Sequence, residues 1–128
     1  MQATSAPVLT VTLPIELTNG NDGRGSKWFK SSKIRNRVEA LLRDLGHVRQ
    51  PFEFQVDVHV TRVLGPNQRL WDSSSIGRGN YKEIEDALVV IGWFVDDGPK
   101  HIRRTTFAQD SDNRPCGPSI VIEIYRTE

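Results

Sequence analysis

The sequence predicts an α+β fold: a small mixed β-sheet with helices packed on one face and elements in the order β-α-β-α-β-β. Three observations predict it. FEFQVDVHV, Phe52 to Val60, alternates apolar and polar residues, as a strand with one wet face does. Two stretches, Trp28 to Leu45 and Tyr81 to Val90, carry apolar residues at helical spacing. SIVIEIYR, Ser119 to Arg126, alternates again. Helices segregated to one side of a sheet give the α+β class. At 128 residues the chain is long enough for one domain, 1–128, around one core.

The elements follow in order. VLTVTLPIEL, Val8 to Leu17, reads as a strand interrupted by Pro14, and so as one at an edge or a strand end. TNGNDGRGS, Thr18 to Ser26, is a loop. It contains no GxxxxGK[ST], so it is no phosphate-binding loop of that type. In the first helix Ile34, Val38, Leu41, Leu42 and Leu45 form the apolar stripe, and Gly46 stops it. Gly65 to Asn80 is a long serine-rich connection. Asn80 is placed to cap the second helix, whose apolar face is Ile84, Leu88 and Ile91. A strand near His101 to Ala108 and the final SIVIEIYR are expected to close the sheet as a hairpin through QDSDNRPCGP.

Composition excludes several classes. No apolar run approaches the roughly 20 residues that span a bilayer. The opening MQATSAPVLTVTLP lacks the basic start and long apolar core of a signal peptide. A single cysteine, Cys116, excludes an internal disulfide and a cysteine-based zinc site. A reducing, cytoplasmic setting is the expectation.

Net charge is +1, but its distribution is uneven. Arg24, Lys27, Lys30, Lys33 and Arg37 crowd the first helix and its approach, and acids cluster from Asp72 to Asp97. A basic face and an acidic pocket suit a protein that binds nucleic acid and holds a metal ion. Solvated helix charge is the competing reading. Trp28, Phe29 and Trp71 could stack on unpaired bases beside those cations. The alternative is that Trp28 anchors the helix and that Trp93 and Phe94 belong to the core.

The segment DALVVIGWFVDDGPKH, Asp86 to His101, carries the sharpest signal. An apolar run ends in two adjacent carboxylates, Asp96 and Asp97. On position alone they read as polar residues opening a turn. Lys82, Asp86, Ala87, Leu88, Gly92, Asp96 and Asp97, in that order and spacing, resemble the signature of the RusA family of Holliday junction resolvases. The resemblance covers about Asn80 to Arg103.

What the resemblance implies is specific. Such proteins are small homodimers that cut four-way DNA junctions with Mg²⁺ held by aspartates. On that pattern Asp97 is a metal ligand, Asp96 shares the role, Lys82 contacts the scissile phosphate and Asp86 orients Lys82. Arg78 joins the basic residues of the first helix in binding DNA. The family's two upstream aspartates have no counterpart: the positions fall on Ile76 and Arg78, or on Gly77 and Gly79. Asp72 or Glu83 could replace them, or the protein binds DNA without cutting it. A third expectation is an α+β domain that recruits a protein partner. DSDNR, Asp110 to Arg114, looks like the missing motif but falls in a turn.

Overall fold

The computed structural model describes residues 6–16, 27–70 and 81–127, with the side chains of 27–32 left aside. The described residues include four strands and two helices: β1 (Leu9–Leu13), α1 (Lys27–Asp44), β2 (Val56–Val63), α2 (Tyr81–Ile91), β3 (Ile102–Asp110) and β4 (Ser119–Arg126). A 3₁₀ turn, Arg114–Cys116, lies between β3 and β4. The protein is an α+β fold built on one mixed sheet in the order β1-β4-β2-β3. β4 runs antiparallel to both β1 and β2, while β2 and β3 are parallel and joined through α2.

Strand register explains the two faces. Leu9, Ile124 and Val58 form one cross-strand row, and Val11, Ile122 and Val60 form the next. Because side chains alternate across a strand, these rows share one face. Val38 and Leu42 of α1 and Ile84, Leu88 and Ile91 of α2 pack with them in one core, so both helices cover that face. The other face carries Thr10, Glu123, His59 and Thr106. There His59 Nδ1 lies 2.6 Å from Thr106 Oγ1. Arg103 grips Asp57 with two bonds of 3.0 and 2.5 Å. Asp57 and His59 thus belong to the polar face of a sheet, as their alternation predicts.

Two expectations need correction. The strand expected from Phe52 begins at Val56, because both neighbours end there: Val56 lies opposite Ile102 and Arg126. Phe52 stays buried off the sheet, its N–H donating to Trp93 O at 3.0 Å and its ring against Phe94. The expected closing hairpin is also absent, since β4 pairs with β1 and β2 rather than with β3. Its Ile120, Ile122 and Ile124 are fully buried on the covered face, and β1 and β2 satisfy its backbone groups along both edges. DSDNR is a turn, as expected: the Asp110 carboxylate accepts from the N–H groups of Asp112 and Asn113 and from Asn113 Nδ2.

Both helices end alike. After α1, His47 N donates to Leu42 O and Gly46 N to Arg43 O. After α2, Trp93 N donates to Leu88 O and Gly92 N to Val89 O. These paired bonds need a left-handed residue, and Gly46 (φ +79°) and Gly92 (φ +105°) supply it. At Gly92 the backbone is also crowded: a Cβ would lie 2.5 Å from Arg49 O.

Candidate functional site

The turn at Gly92 sends the chain back along α2. From Lys82 to Ile91 the helix rises about 13 Å at 1.5 Å per residue. An extended chain covers that distance in about four residues at 3.3–3.6 Å each. The return stretch is anchored by Trp93 and Phe94, both buried. Trp93 Nε1 donates to His47 O at 2.8 Å, tying it to the end of α1. The chain then surfaces at Val95 to Asp97, beside the first turn of α2.

There Lys82 meets three carboxylates. Its Nζ donates to Asp97 Oδ2 and lies 3.3 Å from Asp86 Oδ1 and 3.4 Å from Glu85 Oε1. Asp86 and Glu85 face Lys82 because they are four and three residues along the same helix. Glu85 and Asp97 thus share the one ammonium. Order and helical spacing in the sequence predict Lys82, Asp86 and Asp97 on one rim, and the structure brings them together.

Charge follows contact. The bond from Lys82 holds the Asp97 carboxyl below its ordinary range. The same pairing with Asp97, against some burial, pushes Lys82 upward. Burial raises Glu85, partly offset by Lys82. Glu85 is the enclosed member, its side chain 15% exposed against 58% for Lys82.

Asp96 does not join this group. Its Oδ1 accepts from Gly98 N at 2.7 Å, and its Oδ2 lies 3.9 Å from His101 Nε2. The turn reading therefore describes Asp96, while Asp97 is the carboxylate that meets Lys82. Glu83, a sequence candidate for the missing acid, is turned elsewhere: its Oε2 is buried with no hydrogen-bond partner among the described residues. Glu85 is the acid that sequence reasoning missed. The i, i+3 rule from Lys82 could have found it.

Other expected residues fall outside the described set. Asp72, Arg24, Arg78, Trp71 and the Gly77–Asn80 turn are among them, as are the side chains of Lys27, Lys30, Trp28 and Phe29. Lys33 and Arg37 are exposed on α1, one helical turn apart. Between them Arg35 pairs with Glu39 at 3.7 Å.

The site can be tested for Mg²⁺ by its donors. Carboxylate oxygens are the ligands this hard cation takes. Here, however, the point on which they converge is held by the Lys82 ammonium. Among the described residues no group of three histidine, cysteine, aspartate or glutamate side chains is arranged to hold a metal ion. The described residues therefore do not make a metal site by themselves. Nor, among them, is any helix long and apolar enough to cross a membrane.

In comparisons with known proteins, no family model matches this chain and no curated protein is significantly similar to it.

Proposed function

We propose that this protein is a RusA-like, structure-selective DNA endonuclease that acts as a homodimer on branched or four-way DNA in recombination and repair within the cytoplasm. The observation that carries the reading is the meeting of Lys82, Asp86 and Asp97 from two chain segments that the fold must reverse to bring together. In this reading Lys82 contacts the scissile phosphate and stabilises its developing charge. Asp86, one turn away, orients Lys82. Lys33, Arg37 and the neighbouring cations of α1 hold the DNA backbone. The cofactor that goes with this reading is Mg²⁺, with Asp97 as its carboxylate; when bound it would neutralise charge on the phosphate. A two-fold dimer would present one site to each of two strands of a junction.

A second reading is favoured by one observation. The ammonium of Lys82 already neutralises the carboxylates a metal would use. A member of the same fold that binds DNA without cutting it would look like this.

The test uses a labelled four-way junction with Mg²⁺ or Mn²⁺. The wild type is expected to nick opposing strands, and Asp97→Asn to bind the junction without nicking it. A wild type that binds but never cuts, with either metal, overturns the nuclease reading in favour of the second. A wild type that binds no DNA leaves the protein-recruiting domain.

A further inference from the structure

We propose that Arg49 and Arg126 form a second phosphate-binding surface, at the end of the sheet where β2 begins and β4 finishes, on which the backbone of bound DNA lies. The inference rests on the DNA-binding part of the reading above, not on cutting.

These two guanidiniums are held by rings rather than by acids. Arg49 Cζ lies over the Phe52 ring, 3.7 Å from its centre, and Arg126 Cζ lies over Phe54 at 4.6 Å. The two rings are 5.6 Å apart, so the four side chains form one connected group with a cation on each ring. Its base is fixed. Phe52 is buried, its ring 5.9 Å from Phe94 and its N–H on Trp93 O. A guanidinium laid on a ring keeps its N–H groups at the outer edge and loses little freedom when it takes a phosphate. Arg49 uses only Nε, which donates to Gln50 O at 3.0 Å.

Arginines with polar partners elsewhere differ in this respect. Arg103 is clamped to Asp57, Arg35 pairs with Glu39, and Arg62 is buried. Arg114 donates to the carbonyls of Gly65 and Gln68. Among the described residues no carboxylate pairs with Arg49 or Arg126, and both are exposed. Glu53, between the two rings in sequence, reaches neither. Held in place and without a counter-charge, the pair is complementary to a polyanion. It is also continuous with the Lys82 site. Phe94 touches Phe52, and Asp97, three residues on, meets Lys82. DNA with one phosphate at Lys82 continues past it, and its flanking phosphates need cations that are not already paired.

The experiment measures binding of the full chain to a labelled four-way junction and to a duplex over a range of salt. Arg49→Met with Arg126→Met keeps apolar contact with the rings and removes both charges. The slope of log affinity against log salt is expected to flatten by about 1.8 on either DNA, about 0.9 for each phosphate no longer neutralised. Arg126→Met alone, at the exposed end of β4, is expected to flatten it by about 0.9, and decides the matter if the pair does not fold. Arg69→Met removes one exposed charge beyond the other end of β2 and is expected to leave the slope unchanged. A wild-type slope in folded Arg126→Met overturns the inference and leaves these arginines to an acidic protein partner. An equal fall in Arg69→Met also overturns it, since net charge alone would then set the slope. A wild type that binds no DNA overturns it together with the DNA reading. A wild type that binds but never cuts sinks the nuclease reading alone, and the slopes still decide the role of the two arginines.

Discussion

Lys82 and Asp97, fifteen positions apart, are joined by a direct hydrogen bond across a reversal of the chain. α2 supplies the lysine from its first turn, and the segment behind its C-terminus supplies the carboxylate. Every feature of that reversal leaves a measurable trace.

The first trace is in pH dependence. Asp97 is held below the ordinary carboxylate range, so the folded protein binds its proton more weakly than the unfolded chain does. Its stabilisation is complete above the ordinary value of about 3.9 and fades as pH falls through the lower folded value. Glu85 works in the opposite sense, since burial raises it and stability is lost as pH climbs past about 4.3. Urea titrations should show wild type above Asp97→Asn by less than about 1 kcal/mol at neutral pH, because the pair is partly exposed. That gap should close in acid. Glu85→Gln should gain on wild type as pH rises. A wild-type advantage over Asp97→Asn that grows on acidification would contradict the pairing.

The second trace is in the turn. Gly46→Ala meets open space and costs only the left-handed backbone, about 1–2 kcal/mol. Gly92→Ala adds a collision with Arg49 O and should cost more than Gly46→Ala by denaturant unfolding. Equal destabilisation at the two glycines would mean that the reversal tolerates a wider path.

The sheet makes a third prediction. Ile122 is fully buried in the central β4, and Ile122→Ala should cost about 2–5 kcal/mol. Thr10, exposed on the uncovered face of edge strand β1, should lose no more than about 0.5 kcal/mol on replacement by alanine. Thermal or urea unfolding of the two variants checks this directly. Comparable destabilisation would place a covering layer over the polar face.

A fourth concerns α1. Lys33→Glu with Arg37→Glu should weaken binding to junction and duplex alike and flatten its salt dependence. For each phosphate that the variant no longer neutralises, the slope of log affinity against log salt should fall by roughly 0.9. Unchanged affinity in the double variant would move DNA binding away from this helix.

Much of this was legible in the residues. The stripe of Ile84, Leu88 and Ile91 placed α2, and Ile120, Ile122 and Ile124 placed β4, because each pattern repeats with its own backbone period. Strand neighbours were not legible. Pairing joins residues far apart in sequence, and local alternation does not say whether β4 turns back onto β3 or passes between β1 and β2. The site divides in the same way. Lys82 and Asp86 are related by helical geometry, which a sequence displays. Glu85 stands in the same relation to Lys82, three residues on, but nothing local in the sequence shows that Asp97 returns to the first turn of α2 to meet them. The adjacent Asp96 and Asp97 looked equivalent in sequence. The backbone of the turn separates them, aiming one at Gly98 and the other at Lys82.

The central position of β4 also governs how the chain can assemble. Of the four strands, β4 is the last to leave the ribosome, yet it supplies every hydrogen bond that joins β1 to the rest of the sheet. Until it emerges, β1 has no strand to pair with, and β2 shows one bare edge. The β2-α2-β3 unit can form beforehand with α1 packed on it, and the bond between Lys82 and Asp97 lies entirely within that unit and its return segment. Such non-local closure is slow and leaves apolar edges open during synthesis. Chains stalled before Ser119 should therefore depend on chaperones, while already carrying the two halves of the site.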